Sequence, residues 1–338
     1  MSRFKQLFDN ASSFLPMQFL QKISPVNTLF PYHHTVCNEL LPHIKHLYPY
    51  KNVAQFTQDL DTLLRYNTPV TPEELSVCLK DNKPFPKKSF LLSFDDGFKE
   101  THDNIVPILQ KKGVPAIFFI TPAFLDNKEL FLRSKISLLI HDLINSDQKG
   151  LLKLYNDHLN IPQASLKETI ITLKRIKTNN SAVLDALACK TGFSFNDYLI
   201  EKKPFLTTEQ VLSMHKKGFT IGAHSLNHPY YEQLTLAEQL EQTIQSGRQV
   251  QELTGDKNIY FSFPFSEKNL PQALFSELKK TDINILFGLQ NQKIETSNKV
   301  LHRFNAERPD VDMDKRIKSI LFLGYLRKIV GNQNVARN

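Results

Sequence analysis

Apolar residues fall into short continuous runs along much of this chain, and stretches with helical spacing separate the runs. The segments predicted as strands are mostly apolar and occupy 90–95, 115–120, 219–224, 260–263 and 283–287. Unbroken runs of this kind are typical of parallel strands that are covered on both faces. The stretches with helical spacing occupy 99–112, 207–217, 236–254 and 272–280. The alternation predicts an α/β fold built on a parallel sheet.

Several helix ends are marked by capping residues, proline and glycine. Thr71 and Pro72, followed by two glutamates, predict a helix start, because a capping hydroxyl, an early proline and early acids all favour an N-terminus. Gly113 and Gly255 follow helical stretches and predict helix ends. Residues 53–66 repeat apolar positions at helical spacing and predict another helix.

The alternation is interrupted at 126–205, where segments such as 134–145 predict mostly helix. We interpret this part as an insertion between barrel units, not as a separate domain. The predicted organisation is an N-terminal extension at 1–88, a barrel at 89–310 that contains the insertion, and a C-terminal basic amphipathic helix at 311–338. A barrel of roughly 250 residues with extensions suits a chain of 338 residues.

Charge and cysteine content argue against several classes of protein. The formal net charge is +8, but Lys and Arg are scattered with no run of five or more, so nucleic acid is not a predicted partner. Three widely spaced cysteines without a CxxC pair indicate reduced thiols rather than a disulfide framework. The chain shows no signal-peptide pattern, and no stretch approaches the roughly 20 apolar residues of a membrane-spanning helix. We therefore predict a cytoplasmic protein.

Two predicted strands end in residues that can bind a divalent cation. One ends at Asp95, Asp96 and Gly97, and another leads into His224 and His228. Neighbouring side chains of a continuing strand point to opposite faces, but Gly97 allows a sharp turn that brings both carboxylates to one site. Parallel α/β folds place their chemistry at this carboxyl end of the sheet.

One carboxylate and two imidazoles are a common ligand set for catalytic zinc. Asp96, His224 and His228 would leave a coordination position open for water, and a bound cation lowers the pKa of such a water towards about 7. Asp95 is then free to act on that water. An Asp-Asp-Gly sequence alone often forms only a turn, but both motifs together, each at the end of an apolar strand, favour metal-assisted hydrolysis.

These residues resemble the polysaccharide deacetylase (NodB-homology) family, which is similar to carbohydrate esterase family 4. The similarity lies in 92–98, in the following helix and strand to 119, and in 224–228, which is similar to an H-[ST]-x-x-H motif. Tyr32 and His33 resemble a Tyr-His pair often found upstream of the domain. The resemblance implies a distorted (β/α) barrel of the NodB-homology type, a divalent metal, and hydrolysis of an acetyl group on a sugar.

The resemblance also implies roles for individual residues. Asp95 would be the general base. Asp96, His224 and His228 would bind Zn²⁺, or another divalent metal such as Co²⁺ or Ni²⁺.

Two later motifs of the family are matched less well. An Arg-x-Pro-Tyr type motif falls on 262–265, where Ser262 stands at the arginine position, so the usual partner of the catalytic aspartate is expected to be missing. The backbone N–H of Phe265 is predicted to stabilise the oxyanion. A Leu-x-His type motif makes His302 a candidate general acid, with a partly exposed strand histidine as the alternative and Arg303 as another residue that could face the site.

The predicted function is a cytoplasmic, metal-dependent carbohydrate deacetylase that acts on carbon–nitrogen bonds other than peptide bonds, with N-acetyl favoured over O-acetyl. Its predicted partner is an acetylated sugar or a glycan precursor, as in polysaccharide biosynthesis. Two alternatives stay open: a weakly active or inactive glycan-binding protein, and an amidohydrolase that acts on a non-sugar amide. Segment 316–330 predicts either a last helix packed on the barrel or a peripheral contact with an anionic membrane. The sequence does not indicate the oligomeric state.

Overall fold

The computed structural model describes residues 12–146, 149–295 and 299–335, together with residue 337. The predicted N-terminal extension starts before residue 12, and its first part lies outside the described residues. All the strands and helices of the predicted alternation lie within the described ranges.

Eight parallel strands form the main sheet of the described chain. In chain order, the strands are Thr28–Leu29 (β1), Pro31–His33 (β2), Thr68–Pro69 (β3), Ser89–Phe90 (β4), Leu92–Phe94 (β5), Ala116–Ile120 (β6), Thr220–Ala223 (β7), Ile259–Ser262 (β8), Ile283–Gly288 (β9), Val300–His302 (β10) and Phe304–Asn305 (β11). The main sheet has the order β10-β9-β8-β7-β6-β5-β2-β11, and β1, β4 and β3 form a small second sheet. The edge strands of the main sheet, β10 and β11, are consecutive in the chain, and this sheet curls into a nearly closed barrel. This confirms the predicted (β/α) barrel.

Segment 300–305 joins the two edges of the main sheet, because β10 pairs with β9 and β11 pairs with β2. Among the described residues, β10 itself forms no ladder with the β1–β2 segment. Gln292, which lies between β9 and β10, bonds to that segment through its side chain. Its Oε1 accepts a hydrogen bond from the Phe30 backbone N–H (2.7 Å), and its Nε2 donates one to the Thr28 carbonyl (2.9 Å).

Alternate residues of the strands build two separate apolar layers. One cluster includes Ile117, Phe119, Ile285 and Phe287, whereas residues between them, such as Phe118, pack in the cluster that the surrounding helices share. Successive side chains of a strand point to opposite faces, so the first cluster fills the barrel and the second joins barrel and helices. The two layers explain why apolar residues occur on both faces of the central strands.

Helices surround the barrel, and their ends match the capping signals. In the described part, the α-helices are Met17–Ile23 (α1), Pro42–Lys45 (α2), Val53–Tyr66 (α3), Pro72–Lys80 (α4), Val106–Lys112 (α5), Leu132–Asn145 (α6), Leu151–His158 (α7), Leu166–Arg175 (α8), Ala182–Thr191 (α9), Phe195–Lys202 (α10), Thr208–Lys216 (α11), Leu236–Thr254 (α12), Gln272–Leu278 (α13) and Met313–Ile329 (α14). A π-helical turn, Thr101–Ile105, precedes α5. Thr71 caps α4 with a capping box, and Gly113 and Gly255 end α5 and α12 in the left-handed conformation.

Helices α6 to α10 form the insertion between β6 and β7. They have an apolar core of their own, which includes Ile140, Tyr155, Leu173 and Leu187. The start of α6 and the segment around Phe205 also pack against the barrel side of the molecule, in a cluster that contains Phe98 and Phe131. The insertion is therefore mostly helical and is fastened to the barrel rim beside β5.

The described parts of the N-terminal and C-terminal segments pack with the barrel and its helices. Strand β2 lies between β5 and β11 in the main sheet, so the residues before 89, predicted as an extension, also supply a barrel strand. The apolar side of α14, with Ile317, Ile320 and Leu321, is buried and packs against α1 and α3. Ile329 remains exposed at the end of α14, and a membrane contact stays a prediction. None of the helices in the described ranges has the length and apolarity needed to span a membrane.

Candidate active site

The two predicted motifs meet at the carboxyl end of the barrel. Asp96 follows β5, and His224 and His228 follow β7. One ligand atom from each residue lies within 4.8 Å of the others. Nε2 of His224 and Nε2 of His228 lie 3.4 and 3.3 Å from Oδ1 of Asp96, and all three side chains are buried. The structure therefore brings together the three residues that the sequence predicts as metal ligands.

The geometry of these three atoms fits a divalent cation. Ligand atoms at about 2.0–2.1 Å from a tetrahedral zinc ion lie about 3.3 Å from one another, which agrees with the two separations from Asp96 Oδ1. These separations are longer than an ordinary hydrogen bond. Oδ1 is buried and accepts no hydrogen bond from the described residues. An unsatisfied carboxylate oxygen between two imidazole nitrogens suits a cation ligand.

The histidines are held in the form that a metal ligand needs. Nδ1 of His224 lies 2.8 Å from the Ser262 carbonyl oxygen, so Nδ1 carries the proton and Nε2 presents its lone pair to Asp96. Burial lowers the pKa of His228 and favours its neutral form. The rings of Phe131 and Phe265 flank His228 edge to face, at 4.4 and 4.7 Å between ring centroids.

Asp95 lies beside this cluster and forms a buried pair with Arg303. Nη1 and Nη2 of Arg303 donate hydrogen bonds to Oδ1 and Oδ2 of Asp95, both at 2.7 Å. Burial alone would raise the pKa of Asp95, but the charge and hydrogen bonds of Arg303 outweigh it and lower that pKa. Asp95 is therefore a carboxylate at neutral pH, held in a fixed orientation next to the ligand cluster.

Arg303 corrects the expectation that the partner of the catalytic aspartate is missing. Ser262 stands at the arginine position of the third motif, but its hydroxyl accepts a hydrogen bond from Nη2 of Arg303. The guanidinium reaches Asp95 from the junction of β10 and β11 and lies over the rings of Tyr32 and Phe119, at 4.9 and 5.2 Å. The short side chain of Ser262, at the arginine position of the motif, leaves room for Arg303 from another strand.

His302 does not lie at this site, which corrects its prediction as a general acid. His302 precedes Arg303 on the strand and points to the opposite side. Its Nδ1 lies 3.1 Å from Glu267, and its Nε2 lies 3.1 Å from Glu295. Burial would lower the pKa of His302, but the two glutamates outweigh it and raise that pKa. His302 is part of a buried charge cluster behind the site, which Arg337 completes.

A histidine that was not among the predicted site residues takes a place at the site. His34 lines the same cavity as Asp95 and Asp96. Its Nδ1 lies 2.9 Å from Glu307 Oε1, and its ring stacks on Tyr48 at 4.4 Å. Burial opposes its protonation, yet Glu307 and Asp96 raise the pKa of His34 to about 9. The pair His33 and His34 was visible in the sequence, but only the closed barrel shows which of them faces the site.

The backbone is strained where the site residues lie. Asp96 (φ +72°), His228 (φ +56°) and Phe265 (φ +57°) are in the left-handed region, which non-glycine residues rarely adopt. Gly97 (φ +69°) continues the turn after Asp96 without that cost, as its position predicted. Strain of this kind clusters at functional sites, because it fixes side chains and amides that an ordinary turn would direct elsewhere.

The site opens into a cavity of about 280 Å³. Its lining residues outside the ligand cluster are Tyr32, His34, Leu47, Tyr48, Asp95, Phe131, Arg133, Tyr230, Phe263, Phe265 and Leu289. The rings of Tyr230 and Phe265 stack in parallel at 3.9 Å and form one wall. The Phe265 amide donates to no acceptor among the described residues. The cavity thus combines a carboxylate base, a ligand cluster, an aromatic wall and a free amide donor.

Comparisons with known proteins agree with this geometry. A family model described as polysaccharide deacetylase matches residues 82–150 and 174–286. The unmatched part between them lies within the insertion. A comparison with curated proteins found no match.

Several solved structures share the fold. The Streptococcus pyogenes deacetylase PplD in complex with acetate is 15% identical with a TM-score of 0.56, and the match covers 88% of this chain and 99% of that one. IcaB from Ammonifex degensii is 16% identical, with a TM-score of 0.53 and coverage of 88% and 98%. A de-N-acetylase from Aggregatibacter actinomycetemcomitans is 16% identical, with a TM-score of 0.50 and coverage of 86% and 100%. At these identities, the similarity shows the fold.

Proposed function

Because the chain belongs to the polysaccharide deacetylase family, we propose that it is a divalent-metal-dependent hydrolase that removes N-acetyl groups from a carbohydrate. The observation that carries this proposal is the convergence of Asp96, His224 and His228 beside the paired carboxylate of Asp95. A divalent cation, of which Zn²⁺ suits the ligand set best, would supply a water of lowered pKa and polarise the acetyl carbonyl.

The side chains around the ligand cluster have complementary roles in this hydrolysis. Asp95 takes a proton from the attacking water as general base, and Arg303 keeps it ionised and correctly oriented. The Phe265 amide donates a hydrogen bond to the oxyanion that forms from the acetyl oxygen. His34, charged and held by Glu307, gives a proton to the departing nitrogen.

The choice of N-acetyl over O-acetyl rests on this proton donor. An amine leaves from an amide only when its nitrogen gains a proton, and His34 presents an imidazolium at the cavity wall. One of the solved structures with this fold is named as a de-N-acetylase. Arg303 weakens the alternative of an inactive glycan-binding protein, because it supplies Asp95 with the arginine partner that position 262 lacks.

Metal content and acetate release test the proposal together. We expect about one zinc or similar divalent ion per chain in the wild type, and its loss in His224→Ala. His215→Ala, the same substitution on α11 away from the cavity, serves as the control and should keep the metal. Asp95→Asn should keep the metal but lose acetate release from N-acetylated oligosaccharides. Absence of metal from the wild type after reconstitution would overturn the metal dependence, and undiminished acetate release by Asp95→Asn would overturn the assigned base.

A further inference from the structure

One cation in the active-site cavity has no counter-charge in the described part of the protein. Asp95 is paired with Arg303, and His34 with Glu307, while Asp96 belongs to the ligand cluster. Arg133 lines the same cavity. No carboxylate lies within ion-pair distance of its guanidinium among the described residues.

Arg133 lies in the first turn of α6 and lines the cavity that contains Asp95 and Asp96. Two residues before it, Phe131 packs its ring against that of His228 at 4.4 Å. Nη1 of Arg133 donates a hydrogen bond to the Lys174 carbonyl at 2.9 Å. A guanidinium has five N–H donors, so this bond fixes the side chain and leaves most of its donors unused.

Two other cations of the insertion, Lys135 and Lys177, differ from Arg133 in this respect. Lys135 pairs with Asp185 at 2.6 Å, and Lys177 pairs with Glu232 at 2.9 Å. Burial and the nearby Arg133 lower the pKa of Lys174, which indicates a positive potential where α6 and α8 meet. Arg133 therefore combines two properties: it lines the cavity, and it has no acidic partner among the described residues.

We propose that Arg133 binds an anionic group, a carboxylate or a phosphate, on the glycan next to the acetylated sugar. The inference rests on the proposed function, since it concerns the same cavity. A guanidinium fork matches the two oxygens of either anion. The stacked rings of Tyr230 and Phe265 line the cavity with Arg133 and offer an apolar face for the sugar itself. The insertion thus selects acidic glycans.

A matched set of substrates tests this selection. It consists of a neutral N-acetylglucosamine oligosaccharide and two analogues that carry a carboxylate or a phosphate on the adjacent sugar. We expect the wild type to have a KM about tenfold lower for at least one acidic analogue than for the neutral one. Arg133→Gln should abolish this difference, and Arg133→Lys should keep part of it.

Arg175→Gln is the control, because it removes the same charge from an exposed position of α8 that does not line the cavity. It should keep the wild-type preference. Equal KM values for neutral and acidic substrates in the wild type would overturn the proposal. So would an equal rise of KM for all three substrates in Arg133→Gln, which is the result expected if Arg133 only holds α6 against α8.

Calorimetric binding of the same three glycans to chelator-treated protein separates this inference from the proposed function. Selective binding of an acidic glycan that Arg133→Gln loses, without acetate release from any substrate by the metal-loaded protein, would leave the anion site standing and overturn the deacetylase. Acetate release without selective binding would overturn the anion site alone.

Discussion

Asp95 is ionised inside the protein because Arg303 lies against it. A buried carboxylate without a partner would rather take up a proton, which would remove the general base. Two parallel hydrogen bonds from a guanidinium that is itself buried offset this tendency and fix both oxygens. The reactivity and the rigidity of the base therefore have the same origin.

Replacement of Arg303 should affect stability and activity together. Arg303→Met leaves Asp95 buried without its counter-charge, and we expect a loss of about 3–5 kcal/mol in the free energy of unfolding. Acetate release at pH 7 should fall on the order of 100-fold, because the pKa of Asp95 rises. Urea unfolding and kcat/KM measure the two effects.

Ser262→Ala serves as the comparison, because it removes only one hydrogen bond to the same guanidinium. It should cost about 1 kcal/mol and leave most of the activity. Wild-type kcat/KM in Arg303→Met would contradict the role assigned to this pair.

The pH dependence of the reaction should reflect the opposite shifts of Asp95 and His34. The lowered pKa of Asp95 keeps the base ionised into the acid range, and His34 donates a proton only below its pKa of about 9. A bound cation can only lower the pKa of His34, so kcat/KM should fall as the pH rises through an alkaline limb no higher than about 9. A pH–rate profile measures this limb.

His34→Gln tests the assignment of that limb. The variant cannot donate the proton, so its rate should fall by about 10²–10⁴-fold, and the alkaline limb should vanish. An unchanged alkaline limb in this variant would assign the proton donor to another group.

At the scale of elements, caps and hydrophobic periodicity predict the helices well. They do not predict the register of the short strands. The sequence places α12 at 236–254 with Gly255 at its end, because periodicity and glycine stops are local properties, and the structure adds Thr235 as its N-cap. His302 and Arg303 are adjacent on one short strand, and only one of them can face the site. Which one does so depends on pairing with β9, a contact that no local pattern encodes.

The site was predictable to the same extent. The predicted base and the predicted metal ligands lie at the ends of predicted strands, so the sequence indicates their place at the carboxyl end of the sheet. These residues are Asp95, Asp96, His224 and His228. Arg303 takes the place of the arginine that the family motif has at position 262, at the end of β8. This is visible only in the folded barrel, where β8 and the β10–β11 junction come together.

His302 should contribute to stability rather than to proton transfer. Its pKa is raised by Glu267 and Glu295, so its stabilising effect is complete below the ordinary histidine pKa and is lost as the pH rises through the raised value. His302→Gln should therefore lower the free energy of unfolding most at acid pH, by about 3 kcal/mol. Chemical unfolding at several pH values measures this. A lost alkaline limb in the activity profile of His302→Gln would restore it as the general acid.

At the scale of the whole molecule, the N-terminal segment, the barrel and the insertion meet around a buried acid. Glu100 is 4% exposed, and its charge acts on Tyr50 and on Tyr198 of the insertion. Burial raises the pKa of Glu100 to about 7. Its ionisation therefore opposes the assembly of these three parts.

Removal of this charge should stabilise the protein at high pH. For an acid whose pKa is raised on folding, stability falls as the pH rises from the unfolded value towards the folded one. Glu100→Gln should thus be more stable than the wild type by about 3 kcal/mol at pH 8 and close to it at pH 4. Thermal or urea unfolding at both pH values checks this, and an equal difference at both would contradict it.

Gln292 ties the segment between β9 and β10 to the β1–β2 segment through its side-chain amide. Most neighbouring strands of the main sheet are joined by backbone ladders, although β7 and β8 share a single residue pair. The two Gln292 bonds lie next to a second cavity of about 290 Å³. Local opening of the barrel should start there. The Phe30 amide should therefore exchange its hydrogen with solvent before the amides of β6 do.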